Sequence, residues 1–317
     1  MTVRSAIGTV VERIAGEHRL NSLRSREDRF RRGLARRLHP TGGAEPEPVA
    51  PPALREGEPD SDFDAPDLTR HELISRLHEL LQPRTYLEIG VNDGLSIALS
   101  RAVTIGVDPD FAVRSEVQCD LQLVRATSDD FFARQHPMGH LGGVPLDFAF
   151  IDGMHLAEFA YRDFMNLEQY MAPTGVIVLD DMLPRSSDEA ARNRFTRFWA
   201  GDVFKFVEVL TELRPDLVVV RVNTAPTGVV LVTGLDPESR VLAEAYDSVL
   251  DRLTSADPQV VPDSVIHRRD AVGAQSLLSS TAWAQLVAAR DQADVSTVAS
   301  AVSSLRRLKT LGGASGA

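Results

Sequence analysis

Two apolar runs, LVVVRV at 217–222 and GVVLVTG at 228–234, are joined by only the five residues NTAPT, and this spacing constrains the fold more than any other feature of the chain. Parallel strands need a crossover of about a dozen residues or more, so these two run antiparallel. Upstream the pattern is different. TYLEIG at 85–90, TIGVD at 104–108, LQLVRAT at 121–127, DFAFID at 147–152 and GVIVLD at 175–180 are short apolar runs separated by longer stretches. Such runs belong to strands buried on both faces, in a parallel sheet wrapped by crossover helices. A mostly parallel sheet with a C-terminal antiparallel hairpin strand is a narrow class of α/β architecture.

The order is β/α throughout, which predicts a doubly wound, Rossmann-like sheet. A helix is expected over 68–81, with Leu73, Ile74, Leu77 and Leu81 on one face and Pro83 beyond its end. Another is expected from near Leu95, and a third carries Ala160, Phe164, Leu167 and Met171. Helical extensions flank the sheet. Residues 1–41 read as a basic helical arm and 42–67 as a Pro/acidic linker. The sheet-bearing domain spans 68–235, and 236–317 is a helical C-terminal extension with a frayed tail, GGASGA. Leu242, Tyr246, Val249, Leu250 and Leu253 form one stripe in that extension.

Several function classes fall away on composition. No run approaches the roughly 18 apolar residues needed to cross a bilayer. The first thirty residues lack the apolar block of a secretion signal, and the one cysteine, Cys119, can form no internal disulfide, so a reduced cytoplasmic protein is expected. The net charge of -11 argues against nucleic acid as the main partner. The first forty residues are the exception, with ten arginines against Glu12, Glu17, Glu27 and Asp28. Ile7, Val10, Val11 and Ile14 fall on one helical face there, which suits an arm packed on the body or on a second subunit better than a membrane-surface helix.

The chemistry concentrates at the carboxyl ends of the expected strands. Gly90 and Gly94 follow the first strand, where a glycine turn lets the backbone approach a ligand at a helix N-terminus. Asp108 ends the second strand, where a carboxylate can accept from both hydroxyls of a ribose. Asp152 closes the fourth strand and Asp180 and Asp181 the fifth, so all three can converge. Converging carboxylates raise one another's pKa unless a cation neutralises them, and hard oxygen ligands suit Mg²⁺ or a similar divalent ion. His155, three residues past Asp152, is placed to accept a proton near neutral pH. The other histidines, His71, His78, His136 and His140 among them, show no ligand spacing.

LEIGVNDGLS, GVDPD, DFAFIDGMH and GVIVLDDM, in this order, resemble the class I S-adenosylmethionine-dependent methyltransferases over residues 70–235. The chain looks closest to the metal-dependent bacterial sugar O-methyltransferases of the macrolide type, and more distantly to the catechol type. The resemblance implies S-adenosyl-L-methionine bound by Glu88, Gly90, Asn92, Gly94 and Asp108, with Ser128 or Asp129 at the adenine and Asp152 near the methionine part. Asn92 stands where the family often has glycine. The resemblance also implies a divalent metal on Asp152, Asp180 and Asp181, and methyl transfer to a sugar or other small hydroxylated acceptor, with His155 and Asp152 as catalytic residues. A homo-oligomer and a small-molecule partner are expected.

Two alternatives remain open at this point. A nicotinamide-dependent oxidoreductase is disfavoured by Leu95, which breaks the GxGxxG spacing, and by the hairpin. A non-catalytic protein that binds the cofactor and docks a partner is the other.

Overall fold

The computed structural model describes residues 54–55, 62–292 and 295–312. The basic arm, most of the Pro/acidic linker and the last five residues lie outside the described residues. Among the described residues nine strands form one sheet. They are β1 (Leu68–Thr69), β2 (Thr85–Ile89), β3 (Val103–Val107), β4 (Leu121–Val124), β5 (Leu146–Ile151), β6 (Met171–Leu179), β7 (Val218–Ala225), β8 (Val229–Thr233) and β9 (Val272–Gly273). The spatial order is β4-β3-β2-β5-β6-β8-β7-β1, with β9 also pairing β7. Only β8 runs against the rest. It inserts between β6 and β7, so the hairpin's return strand lies inside the sheet and β7 is again parallel to the others.

Every residue of β2, β5 and β8 is buried, because helices cover both faces. On one side pack α3 (Ala157–Glu168), α4 (Phe204–Leu213) and α5 (Val241–Leu253), through residues such as Phe164, Phe206 and Leu242. On the other pack α1 (Arg70–Leu81), α7 (Ala274–Leu278), α8 (Ala282–Gln292) and α9 (Val295–Gly312), through Leu73, Ile74, Leu77, Trp283 and Leu305. Two short helices, α2 (Ser128–Phe132) and α6 (Asp263–Ile266), complete the set. Among the described residues no helix is long and apolar enough to cross a membrane.

The first helix starts where its chemistry dictates. Thr69 accepts from the Glu72 amide at 3.3 Å while Glu72 accepts from the Thr69 amide at 2.8 Å, a reciprocal cap. The helix ends at Gln82, in the left-handed region, just before Pro83.

Three expectations need correction. The helix foreseen from Leu95 is a single 3₁₀ turn, Ile97–Leu99. Serine hydroxyls draw the chain off the helical path here: Ser96 donates to Glu88, and Ser100 accepts from the Ala102 amide and pairs with the Thr104 hydroxyl. Met171 begins β6 rather than extending α3, which ends at Glu168. The helical stretch after 236 is interrupted by β9, after which Asp67 caps α7 by accepting from the Ala274 and Gln275 amides at 3.1 and 3.0 Å.

Candidate active site

The sheet's parallel strands deliver their last residues to one edge, and the site is built there. Gly90 follows β2 with φ +95°, and a Cβ on it would lie 1.8 Å from the Asp152 carbonyl oxygen. Glycine is needed at this point because two strand ends touch. Two residues on, Asn92 donates its amide to one oxygen of Asp108 at 2.7 Å, and Asp110 donates to the other at 2.7 Å. Asp108 is thereby fixed at the end of β3. Glu88 is fully buried within β2, and its oxygens accept from Tyr86 at 2.8 Å and Ser96 at 2.6 Å. Burial pushes its carboxyl up to about 8, with the Ser96 and Tyr86 hydroxyls pulling the other way.

Past β4 one of the expected adenine contacts is engaged within the protein. Asp129 forms a two-pronged ion pair with Arg162, at 3.0 and 2.8 Å. The cap of α2 is Thr127, which accepts from the Asp130 amide at 3.0 Å.

Asp152, His155 and Asp181 come together. His155 Nε2 lies 3.3 Å from Asp152 Oδ1, and Nδ1 lies 2.9 Å from Asp181 Oδ2 and 3.1 Å from the Trp199 carbonyl oxygen. The Trp199 ring stacks on the imidazole with centroids 5.1 Å apart and planes 5° from parallel. Both His155 and Asp181 have positive φ, 57° and 61°, a backbone state that non-glycine residues adopt rarely and that clusters at functional sites. Thr227, in the β7–β8 turn, donates its hydroxyl to the other Asp181 oxygen. One ligand atom from each of Asp152, His155 and Asp181 lies within 4.8 Å of the others. That is a donor set for a divalent cation.

Asp180 faces elsewhere. Its carboxylate pairs with Arg70, whose side chain is 3% exposed and which also reaches Asp152 at 3.7 Å. Burial alone would lower the Arg70 pKa, but Asp180, Asp152 and Asp181 hold it above its ordinary value. His155 obeys the same balance: burial would depress it, yet Asp181 and Asp152 raise it to about 10. The imidazole therefore carries a proton at neutral pH until something draws the carboxylate charge away.

Arg70, Trp199, Thr227 and Asp163 are absent from the sequence reading. Arg70 and Asp163 did leave a signal, because each is a charged residue on the apolar face of its helix, with Leu73, Ile74 and Leu77 in one case and Ala160, Phe164 and Leu167 in the other. Trp199 and Thr227 lie in loops and left none.

A family model described as a methyltransferase domain matches residues 87–182, the span from β2 to just past Asp181. No curated protein matches the chain. Among solved structures, the O-methyltransferase TomG from Streptomyces achromogenes, involved in tomaymycin synthesis and solved with S-adenosylmethionine, is 19% identical, over 52% of this chain and 78% of its own, with a TM-score of 0.40. An O-methyltransferase from Bacillus cereus in complex with S-adenosylhomocysteine is 15% identical, over 54% of this chain and 84% of its own, with a TM-score of 0.37. The methyltransferase PaMTH1 of Podospora anserina, bound to S-adenosylhomocysteine, is 14% identical, over 53% and 78%, with a TM-score of 0.39. Over residues 87–182 the chain is thus similar to a methyltransferase domain.

Proposed function

We propose that the chain is an S-adenosylmethionine-dependent O-methyltransferase that transfers a methyl group to a hydroxyl of a sugar or other small hydroxylated metabolite, with Mg²⁺ or a similar divalent ion at the acceptor. The convergence of Asp152, His155 and Asp181, beside the glycine turn that touches Asp152, carries this reading. The two carboxylates suit a divalent ion, and the imidazole beside them stays available as the base. Bound there, the ion would acidify the acceptor hydroxyl and offset the carboxylate charge that keeps His155 protonated.

The chain's own residues then have distinct tasks. Trp199 holds the His155 ring by stacking and through its carbonyl, which sets the angle at which the imidazole accepts the acceptor's proton. Thr227 orients Asp181. The acceptor oxygen forms its bond to the methyl carbon as the carbon–sulfur bond breaks in line, leaving S-adenosylhomocysteine. Alignment is the main contribution. The acceptor is a small molecule rather than nucleic acid, and the protein works in the cytoplasm as a homo-oligomer.

Arg70 supports a second reading, in which its guanidinium supplies the positive charge beside Asp180 and Asp152 and transfer runs without metal. Calorimetric titration with S-adenosylhomocysteine, repeated with Mg²⁺ and with a chelator, tests both. Micromolar cofactor binding and a Mg²⁺ signal lost in Asp181→Asn are expected. Transfer to sugars that survives the chelator would select the second reading, and a fully active Asp181→Asn enzyme with normal metal response would sink the assignment of the site.

A further inference from the structure

Arg268 is a buried cation in the C-terminal extension, just past α6, that the transfer chemistry above does not use. It is 5% exposed and has a positive φ of 52°. A buried charge is costly unless hydrogen bonds or a counter-ion satisfy it. Among the described residues no carboxylate bonds this guanidinium, and burial, together with the charge of Arg185, brings its pKa down to about 10. Its partners are uncharged oxygens instead. Nη1 donates to the Asn223 side-chain oxygen at 2.5 Å and to the Thr224 carbonyl at 3.1 Å, while Nη2 donates to the carbonyls of Pro226 at 2.5 Å and Leu183 at 3.4 Å. The Phe63 ring covers the guanidinium, with 4.1 Å between its centroid and Cζ.

These acceptors belong to the two halves of one clasp. Just past Asp181, Met182 and Leu183 donate their amides to the carbonyls of Gly228 and Thr227 at 3.2 and 2.7 Å, and Thr227 donates its hydroxyl to Asp181. The halves are in close contact, since a Cβ on Gly228, whose φ is +63°, would stand 2.5 Å from the Leu183 side chain. The place of Asp181 therefore depends on the β7–β8 turn. A planar guanidinium can bond Leu183 on one half and Thr224 and Pro226 on the other at the same time, which a single ammonium cannot do with the same fixed geometry. A cation that only pinned the extension to the sheet would need the oxygens of β7 alone.

Resting on the function proposed above, we propose that Arg268 is a positioning residue for the divalent-ion site: it closes the clasp between residues 181–183 and the β7–β8 turn, and through Thr227 fixes the Asp181 carboxylate. The C-terminal extension, which lies beyond the matched residues 87–182, thereby completes the catalytic centre.

Calorimetry on the full chain with Mg²⁺ as the probe, in the presence of S-adenosylhomocysteine, tests the assignment. Arg268→Met keeps the side chain's bulk without its donors or charge, and should weaken Mg²⁺ binding roughly tenfold or more, as loss of a group that orients a metal ligand does. Thr227→Val should weaken it likewise. The double variant should bind no more weakly than the weaker single variant, because both residues act through Asp181. Melting temperatures of the same samples isolate a merely structural role, which would lower Tm and leave Mg²⁺ affinity unchanged. Arg268→Lys, which keeps the charge but not the fork, should also weaken Mg²⁺ binding and serves if Arg268→Met does not fold. Wild-type Mg²⁺ affinity in a folded Arg268 variant, or a double variant whose free-energy loss is the sum of the single losses, overturns the role of Arg268 alone. A wild type that binds no Mg²⁺ overturns the metal assignment, and this role with it.

Discussion

Glu88 shows how far burial alone can move a group at this sheet edge. Its folded pKa of about 8 lies above the ordinary carboxylate value, so the native state holds a proton that the unfolded chain has already lost between those two values. Linkage then makes stability fall as pH rises through that window and level off above about 8. Glu88→Gln keeps the shape and removes the ionisation. Urea midpoints from pH 5 to 9 should decline less steeply in the variant than in the wild type; parallel curves would show that Glu88 is not the group responsible. The glutamate could be read as a candidate from its place in the LEIG strand. Its hydroxyl partners could be read only in part: Tyr86 is two residues away on the same strand face, but Ser96 returns to it through a turn that the apolar pattern presents as a helix.

The turn after β2 sets a geometric condition on two elements at once. Gly90 has a positive φ, and a Cβ there would collide with the backbone at Asp152, so the ends of β2 and β5 can be adjacent only with glycine at this position. Gly90→Ala should cost roughly 2–4 kcal/mol of stability, from combined strain and clash, and should move Asp152 along with the turn. Chemical denaturation gives the first quantity and cofactor titration the second. A loss below about 0.5 kcal/mol with unchanged cofactor affinity would mean that the two strand ends are not locked together. At this scale the sequence is legible where apolar runs are continuous, which is why β2, β3, β5, β6 and the β7–β8 hairpin are all foreseen. It fails where serine hydroxyls compete with the helix, as at Ser96 and Ser100, and where a two-residue strand such as β9 depends on a neighbour 50 residues away.

Across the whole molecule, the most consequential link unseen in the sequence is Arg70 with Asp180, 110 positions apart. It ties the first turn of α1, on one face of the sheet, to the carboxyl edge of β6. Strand-end carboxylates can be found from local pattern, but the cation that meets them depends on which helix the chain lays across that edge, and no local period encodes this. The two side chains are 3% and 2% exposed, so each depends on the other to offset its desolvation. Removing one partner of a buried pair leaves an uncompensated charge and typically costs about 3–5 kcal/mol. Arg70→Gln should therefore lose that much, with Asp180 and Asp152 left facing each other. The double variant Arg70→Gln/Asp180→Asn removes both charges and should recover most of the stability, a coupling that a double-mutant cycle in urea measures directly. A double variant whose loss equals the sum of the two single losses would show that the pair is independent and that α1 is held by its apolar face alone.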